Sequence, residues 1–312
     1  MTTLSRALSL EGSIFRALPK FSLAETIRNF GIEEVPPYYD PEAIRDEFEG
    51  VARELNFFGA QFRLYDLLMG WWERKSDRDL LDFMNGSPPA ASMTLLGVGT
   101  GYLLQLLAAR YPAVRIRGSD LSLNMLEVAQ DKLLSRGHSR DEVDVIPRHS
   151  GSGTCEHYRE GRILLVQEDC RRVDVPDASQ DVVVTAYFLD LLSPDQIRQS
   201  LREVERLLKP GGRAHLMSLT SGIDNGCTFR GKAAALYFRM RNGFYALWYH
   251  SKLLRELSHA LFDGYYTHCR PIGLSRYVGE RASLSQTRSR ISCIRICGIP
   301  YLPVKMIEVI RK

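Results

Sequence analysis

The chain has 312 residues, 45% hydrophobic and 25% charged, proportions of a globular protein that exclude collagen-like and strongly disordered classes. No apolar run reaches the length of a membrane-spanning helix, and Met1 to Pro19 lacks the apolar core of a secretory signal. The net charge of +4 is unevenly spread: of 41 basic and 37 acidic residues, 15 and 4 lie from Cys227 onward, so that segment carries +11 and the remainder −7. Such asymmetry points to an anionic partner (a membrane surface, a phosphorylated substrate or nucleic acid) or to a solvated basic face.

Residues 1–50 read as an N-terminal arm. Arg6, Arg16 and Lys20 among apolar residues suit a transit peptide, but Glu11 and Glu25 run against it. Pro36-Pro37-Tyr38-Tyr39-Asp40-Pro41 breaks any helix there. From Pro41 to Met84 the pattern turns helical, with Phe48, Val51, Leu55, Phe58 and Phe62 at three- and four-residue spacing. Asn85-Gly86-Ser87-Pro88-Pro89 then marks a loop.

Strands and helices alternate after it. Met93 to Leu96 predicts a strand, Tyr102 to Arg110 a helix and Val114 to Gly118 a second strand. Ser122 to Arg136 predicts a helix, capped by Ser122 and ended by Gly137. Residues 137–161 are polar and read as an insertion loop; His138, His149 and His157 flank Cys155 there, without the ligand spacing of a zinc site. Arg162 to Gln167 and the β-branched run Asp181 to Ala186 predict strands three and four, the latter buried on both faces. Pro194 opens a helix that stops before Lys209-Pro210-Gly211-Gly212, and Arg213 to Leu219 predicts strand five. Arg230 to His259 is helical in pattern and crowded with aromatics, including Trp248 and Tyr249. Arg290 to Cys297 and Val304 to Arg311 predict an antiparallel pair at a sheet edge.

The fold class is therefore α/β: a doubly wound, mostly parallel, seven-stranded Rossmann-like sheet with an antiparallel C-terminal hairpin and a helical cover. The expected organisation is an arm (1–50) and one domain (51–312), comprising a core (89–220), a helical segment (221–289) and the C-terminal strands (290–312). The cysteines at 155, 170, 227, 269, 293 and 297 form no C-x-x-C pair, which predicts no metal site and a reducing compartment. The cytoplasm is the expected location, with a mitochondrion or other organelle as the alternative.

Gly97-Val98-Gly99-Thr100-Gly101 lies between the first strand and its helix. Closely spaced glycines there let the backbone approach a ligand where a Cβ would collide. Asp120 follows at the end of the second strand, at the spacing expected of an acid that holds a ribose. In such a sheet ligands bind beyond the carboxyl ends of the strands, which predicts a nucleoside-containing cofactor.

Leu95 to Leu103, Gly118 to Leu126, Gln167-Glu168-Asp169-Cys170 and Leu207 to Gly212 occur in order. Together they resemble the class I S-adenosylmethionine-dependent methyltransferases, in particular the ubiquinone/menaquinone-biosynthesis group. The resemblance covers about residues 90–220, with weaker likeness at Phe57 to Trp72. It implies that Gly97, Val98, Gly99, Thr100 and Gly101 pass the methionine part of S-adenosylmethionine, with S-adenosylhomocysteine as product. It implies that Asp120, beside Leu121, accepts from the ribose hydroxyls, that Asp169 faces the adenine amino group next to Cys170, and that Tyr187 lines the methionine and substrate side. The family commonly has an acid two residues before the first glycine; this chain has Leu95.

Methyl transfer needs alignment and water exclusion rather than a protein nucleophile. Tyr187, Asp190, Tyr249 and His250 are candidate bases, and none is assigned as catalytic. The expected acceptor is a small or lipid-like molecule such as a quinone precursor, with the basic aromatic segment as a lid or a contact with anionic membrane. RNA methylation is an alternative, because basic and aromatic surface also holds single strands. A non-catalytic cofactor-binding or scaffold protein that kept the fold is another, and Leu95 favours it.

Overall fold

The computed structural model describes residues 70–85, 90–147, 161–192, 194–220, 272–296 and 299–312. The expected arm at 1–50, most of the expected cover and the candidates Tyr249 and His250 lie outside them.

The described elements are α1 (Gly70–Met84), β1 (Ser92–Leu96), α2 (Tyr102–Arg110), β2 (Arg115–Asp120), α3 (Leu123–Ser135), β3 (Val143–Ile146) and β4 (Ile163–Gln167). They continue as β5 (Gln180–Ala186), a short 3-10 turn (Leu189–Leu191), α4 (Pro194–Leu207), β6 (Leu208–Leu219), α5 (Leu274–Gly279), β7 (Leu284–Ile296) and β8 (Ile299–Arg311). Local chemistry accounts for several boundaries. Ser122 caps α3 by accepting the Met125 N–H at 3.3 Å, and Gly137 ends it with φ of 96°. Pro194 occupies the first position of α4, where its missing N–H removes no helical bond.

The strands form one sheet in the order β3-β4-β2-β1-β5-β6-β8-β7. The pairs from β3 to β6 are parallel, whereas β8 runs antiparallel to both β6 and β7. Chain direction across the sheet reverses between β1 and β5, the switch point where a crevice opens at the strand ends.

The sheet has eight described strands rather than seven. The addition is β3, inside the segment expected to be a loop, and β7 begins at Leu284, ahead of the expected Arg290. Both strands lie at sheet edges. An edge strand need not present a continuous apolar run: β3 buries only Val143 fully, and Leu284 to Arg290 is mostly polar. Residues 209–212 loop out of β6, because the register with β5 jumps from Gln180↔Leu208 to Val182↔Arg213.

Alternation along the central strands divides the core between the two faces. Leu95 packs with Leu80 and Phe83 of α1, Leu104 and Leu107 of α2 and Leu133 of α3. Leu96 packs on the other face with Ile197, Leu201 and Val204 of α4 and Tyr277 of α5.

Candidate functional site

Three glycines shape the loop between β1 and α2. Gly97, Gly99 and Gly101 have φ of 75°, 54° and 79°, a region that costs other residues about 1–2 kcal/mol each. A Cβ on Gly97 would stand 2.8 Å from Cβ of Phe188, and one on Gly101 2.5 Å from Cβ of Ala129 in α3. Those two glycines let the loop nest against its neighbours. A Cβ on Gly99 would meet nothing within 4 Å, so Gly99 borders open space at the carboxyl edge of the sheet.

Asp120, the last residue of β2, ties this loop down. Its Oδ2 accepts the Gly99 N–H at 2.8 Å and its Oδ1 accepts the Ser122 N–H at 3.0 Å. Gly97 and Val98 both donate to the Ser119 carbonyl, at 2.9 and 3.1 Å. The loop and the end of β2 thus form one hydrogen-bonded unit. Val98 and Thr100 are buried beneath the loop. The Leu121 carbonyl accepts from the Gln167 side chain at 3.1 Å.

The segment after β4 joins the same unit. Glu168 donates its N–H to the Asp120 carbonyl at 3.0 Å. Its carboxylate receives Arg117 at 3.0 Å, the Ser119 hydroxyl at 2.5 Å and the Asp174 N–H at 2.9 Å. Cys170 is buried and donates its thiol to the Ser119 carbonyl at 3.3 Å. Burial, reinforced by the Asp120 charge, pushes that thiol well above its ordinary pKa and keeps it protonated. Asp169 is partly exposed and paired with Arg171, whose Nε lies 2.9 Å from both carboxylate oxygens.

Tyr187 follows β5 with φ of 54°, rare for a large side chain. Its N–H donates to the Met217 carbonyl at 3.2 Å, and its hydroxyl is hydrogen-bonded to Ser76 Oγ of α1. Asp190 is fully buried, and one of its oxygens accepts the Leu219 N–H at 3.0 Å.

The structure therefore brings Gly97 to Gly101, Asp120, Leu121 and Cys170 into one bonded unit, with Asp169 beside it and Tyr187 after the neighbouring strand. Leu95, where an acid was expected, is 1% exposed and points into the core. Sequence reasoning missed two organising residues. Glu168 stood beside a recognised motif and could have been found by its neighbourhood. Ser76 carried no signal, being 111 positions from Tyr187.

Residues 95–216, from within β1 to within β6, match the family described as a methyltransferase domain. The architecture is a class I methyltransferase fold. The chain resembles the ubiquinone/menaquinone biosynthesis C-methyltransferases UbiE. That of Ectopseudomonas mendocina (strain ymp) is 26% identical over 190 residues, 61% of this chain and 62% of that protein. That of Syntrophotalea carbinolica is 32% identical over 115 residues, 37% of this chain and 38% of that protein. The matched region thus spans less than two thirds of either relative. Among solved structures, magnesium protoporphyrin IX methyltransferase ChlM from Synechocystis PCC 6803 with bound S-adenosylhomocysteine aligns with a TM-score of 0.52 at 14% identity, covering 87% of this chain and 99% of that one. N-methyltransferase NodS from Bradyrhizobium japonicum WM9, in complex with the same molecule, has a TM-score of 0.50 at 14% identity, covering 85% and 98%. These two likenesses establish the fold.

The described part of the basic C-terminal segment uses several of its cations internally. Arg288 pairs with Glu308, Arg281 with Glu205, and Arg276 approaches Glu280, which also holds Arg198. Arg311 donates to the Arg206 and Leu208 carbonyls. Among the described residues no helix is long and apolar enough to cross a membrane, and no group of three or more His, Cys, Asp or Glu is placed to hold a metal ion.

Proposed function

We infer that the chain transfers a methyl group from S-adenosylmethionine to a small-molecule or lipid-like acceptor, with a quinone precursor as the favoured class. The observation that carries this reading is the 2.8 Å bond from the Gly99 N–H to Asp120. It holds a carboxylate beside a glycine with open space over it, an arrangement suited to a ribose and its attached chain. Gly97, Gly99 and Gly101 would admit the cofactor's methionine part, Asp120 would accept from the ribose hydroxyls, and the segment at Asp169 and Cys170 would border the adenine. Bound there, the cofactor supplies an activated methyl group for in-line displacement. The protein's share is alignment and exclusion of water. The quinone-precursor class rests on the likeness to the UbiE enzymes and on the aromatic, basic composition of residues 230–259. That composition suits a cover over an apolar acceptor and contact with anionic lipid.

Calorimetric titration with S-adenosylhomocysteine tests the cofactor site. Wild-type protein should bind, and Asp120→Asn should bind at least tenfold more weakly, because an amide nitrogen cannot accept the ribose hydroxyls. Label transfer from methyl-labelled S-adenosylmethionine to quinol and lipid extracts tests the acceptor; no labelled product across both would sink the acceptor class. A second reading, a non-catalytic scaffold that kept the fold, is favoured by Leu95 in the core and by the pairing of Asp169 with Arg171. It predicts no binding at millimolar ligand.

A further inference from the structure

Tyr187 combines a left-handed backbone with a large side chain, a combination that persists where the surroundings over-determine it. Its N–H is bound to the Met217 carbonyl, its ring packs on the core beside α1, and its hydroxyl meets Ser76 Oγ. Ser76 is 1% exposed on α1, a helix anchored elsewhere. Asp79 of α1 accepts from Ser292 of β7, and Arg288 of β7 donates to the Phe83 carbonyl at 3.0 Å with its guanidinium 5.0 Å from the Phe83 ring centroid. Nearer the site, the Arg74 guanidinium lies 5.6 Å from the ring centroid of Tyr102, the first residue of α2. One helix fixed on β7 and β8 thus reaches both sides of the glycine loop, at Tyr102 and at Tyr187. The residue after Tyr187 is Phe188, the side chain that a Cβ on Gly97 would meet at 2.8 Å.

We propose that Ser76 is a positioning residue for the cofactor site, holding Tyr187 and, through Phe188, the Gly97 end of the glycine loop, so that α1 is a wall of that site. The proposal rests on the cofactor reading given above. Loss of the Ser76 hydroxyl removes one of the contacts that hold Tyr187 at positive φ. The 187–188 backbone then relaxes, and Phe188 no longer buttresses the loop.

The test is titration of the full-length protein with S-adenosylhomocysteine, together with amide hydrogen exchange at residues 97–101. Ser76→Ala and Tyr187→Phe should each weaken binding about three- to tenfold, the range of one hydrogen bond, and speed exchange in the loop. The double variant should bind no more weakly than Tyr187→Phe alone, since both changes remove the same bond. Ser76→Thr, which keeps the hydroxyl, should restore binding, and this separates positioning from a general loss of fold. Wild-type affinity in Ser76→Ala, or losses that multiply in the double variant, would overturn the proposal and leave the cofactor reading intact. Wild-type protein that binds no ligand would overturn both.

Discussion

Gly99 and Gly101 share a left-handed backbone but differ in what surrounds them, and the difference separates stability from binding. Alanine at 101 would place its Cβ 2.5 Å from Cβ and 2.9 Å from Cα of Ala129, forcing α2 and α3 apart. Backbone strain and overpacking together come to about 2–5 kcal/mol, which should appear as a lowered urea midpoint. Alanine at 99 carries only the backbone term, about 1–2 kcal/mol, but directs a methyl into the space assigned to the ligand. Gly99→Ala should therefore fold and lose S-adenosylhomocysteine binding out of proportion to its stability loss. Equal stability for the two variants, or undiminished binding by Gly99→Ala, would contradict this division. The spacing of the glycines and Asp120 was legible because a strand, a turn and a helix fix their separation along the chain. The division of labour among the glycines was not, since Ala129 and Phe188 reach them only through the packing of other elements.

At the scale of elements, α1, β7 and β8 are joined by a buried charge cluster. Glu308 of β8 is 1% exposed and accepts from Arg213 at 2.9 Å, from Arg288 at 2.5 Å and from the Thr287 hydroxyl at 2.7 Å. Burial alone would raise its pKa; the hydrogen bonds from Arg288 and Thr287 and the nearby charges overcome that and hold it at about 2. Glu308→Gln should cost about 2–3 kcal/mol, less than a fully buried pair because Arg288 is 41% exposed. Denaturant unfolding measures the loss, and a change below 0.5 kcal/mol, about what exposed pairs give, would refute it. Because Arg288 also donates to the Phe83 carbonyl, amide exchange in α1 should rise in the same variant. None of these partners was legible in the sequence. Phe83, Arg213, Arg288 and Glu308 come from four separate elements, and strand register alone brings them together. The central strands were legible as apolar runs, while the edge strands β3 and β7 were obscured by the polar residues that an exposed edge permits.

At the scale of the whole molecule the same cluster contributes to the response to acid. His215 of β6 is fully buried; burial lowers its pKa, the Glu308 charge opposes the shift, and Arg288 and Arg213 add to it, leaving a value of about 4. A histidine depressed from 6.5 to about 4 binds its proton more readily when unfolded. Its stabilisation is full above 6.5 and is lost as pH falls toward 4. Glu308, depressed from 4.5 to about 2, adds a second loss that begins below 4.5. Unfolding free energy should decline in two overlapping stages, and His215→Phe should flatten the first; an unchanged slope between pH 6.5 and 4.5 would count against this assignment. The charge asymmetry, visible in composition, changes meaning in the same way, because Arg281, Arg276 and Arg288 of the described C-terminal segment are held by Glu205, Glu280 and Glu308. By itself the sequence determined the alternating α/β order, the glycine loop and the place of Asp120 at the end of the second strand, since these depend on local periodicity and on spacing along a strand–turn–helix unit. Tertiary structure decided the edge strands, the core position of Leu95, the pairing of Asp169 and the contact between Ser76 and Tyr187. The positions of Leu95 and the edge strands follow from which face or border of the sheet the residues occupy, and the Ser76 contact joins elements 111 positions apart in the chain. The partner of Asp169 is only two residues away, yet nothing in the sequence fixes which way either side chain points.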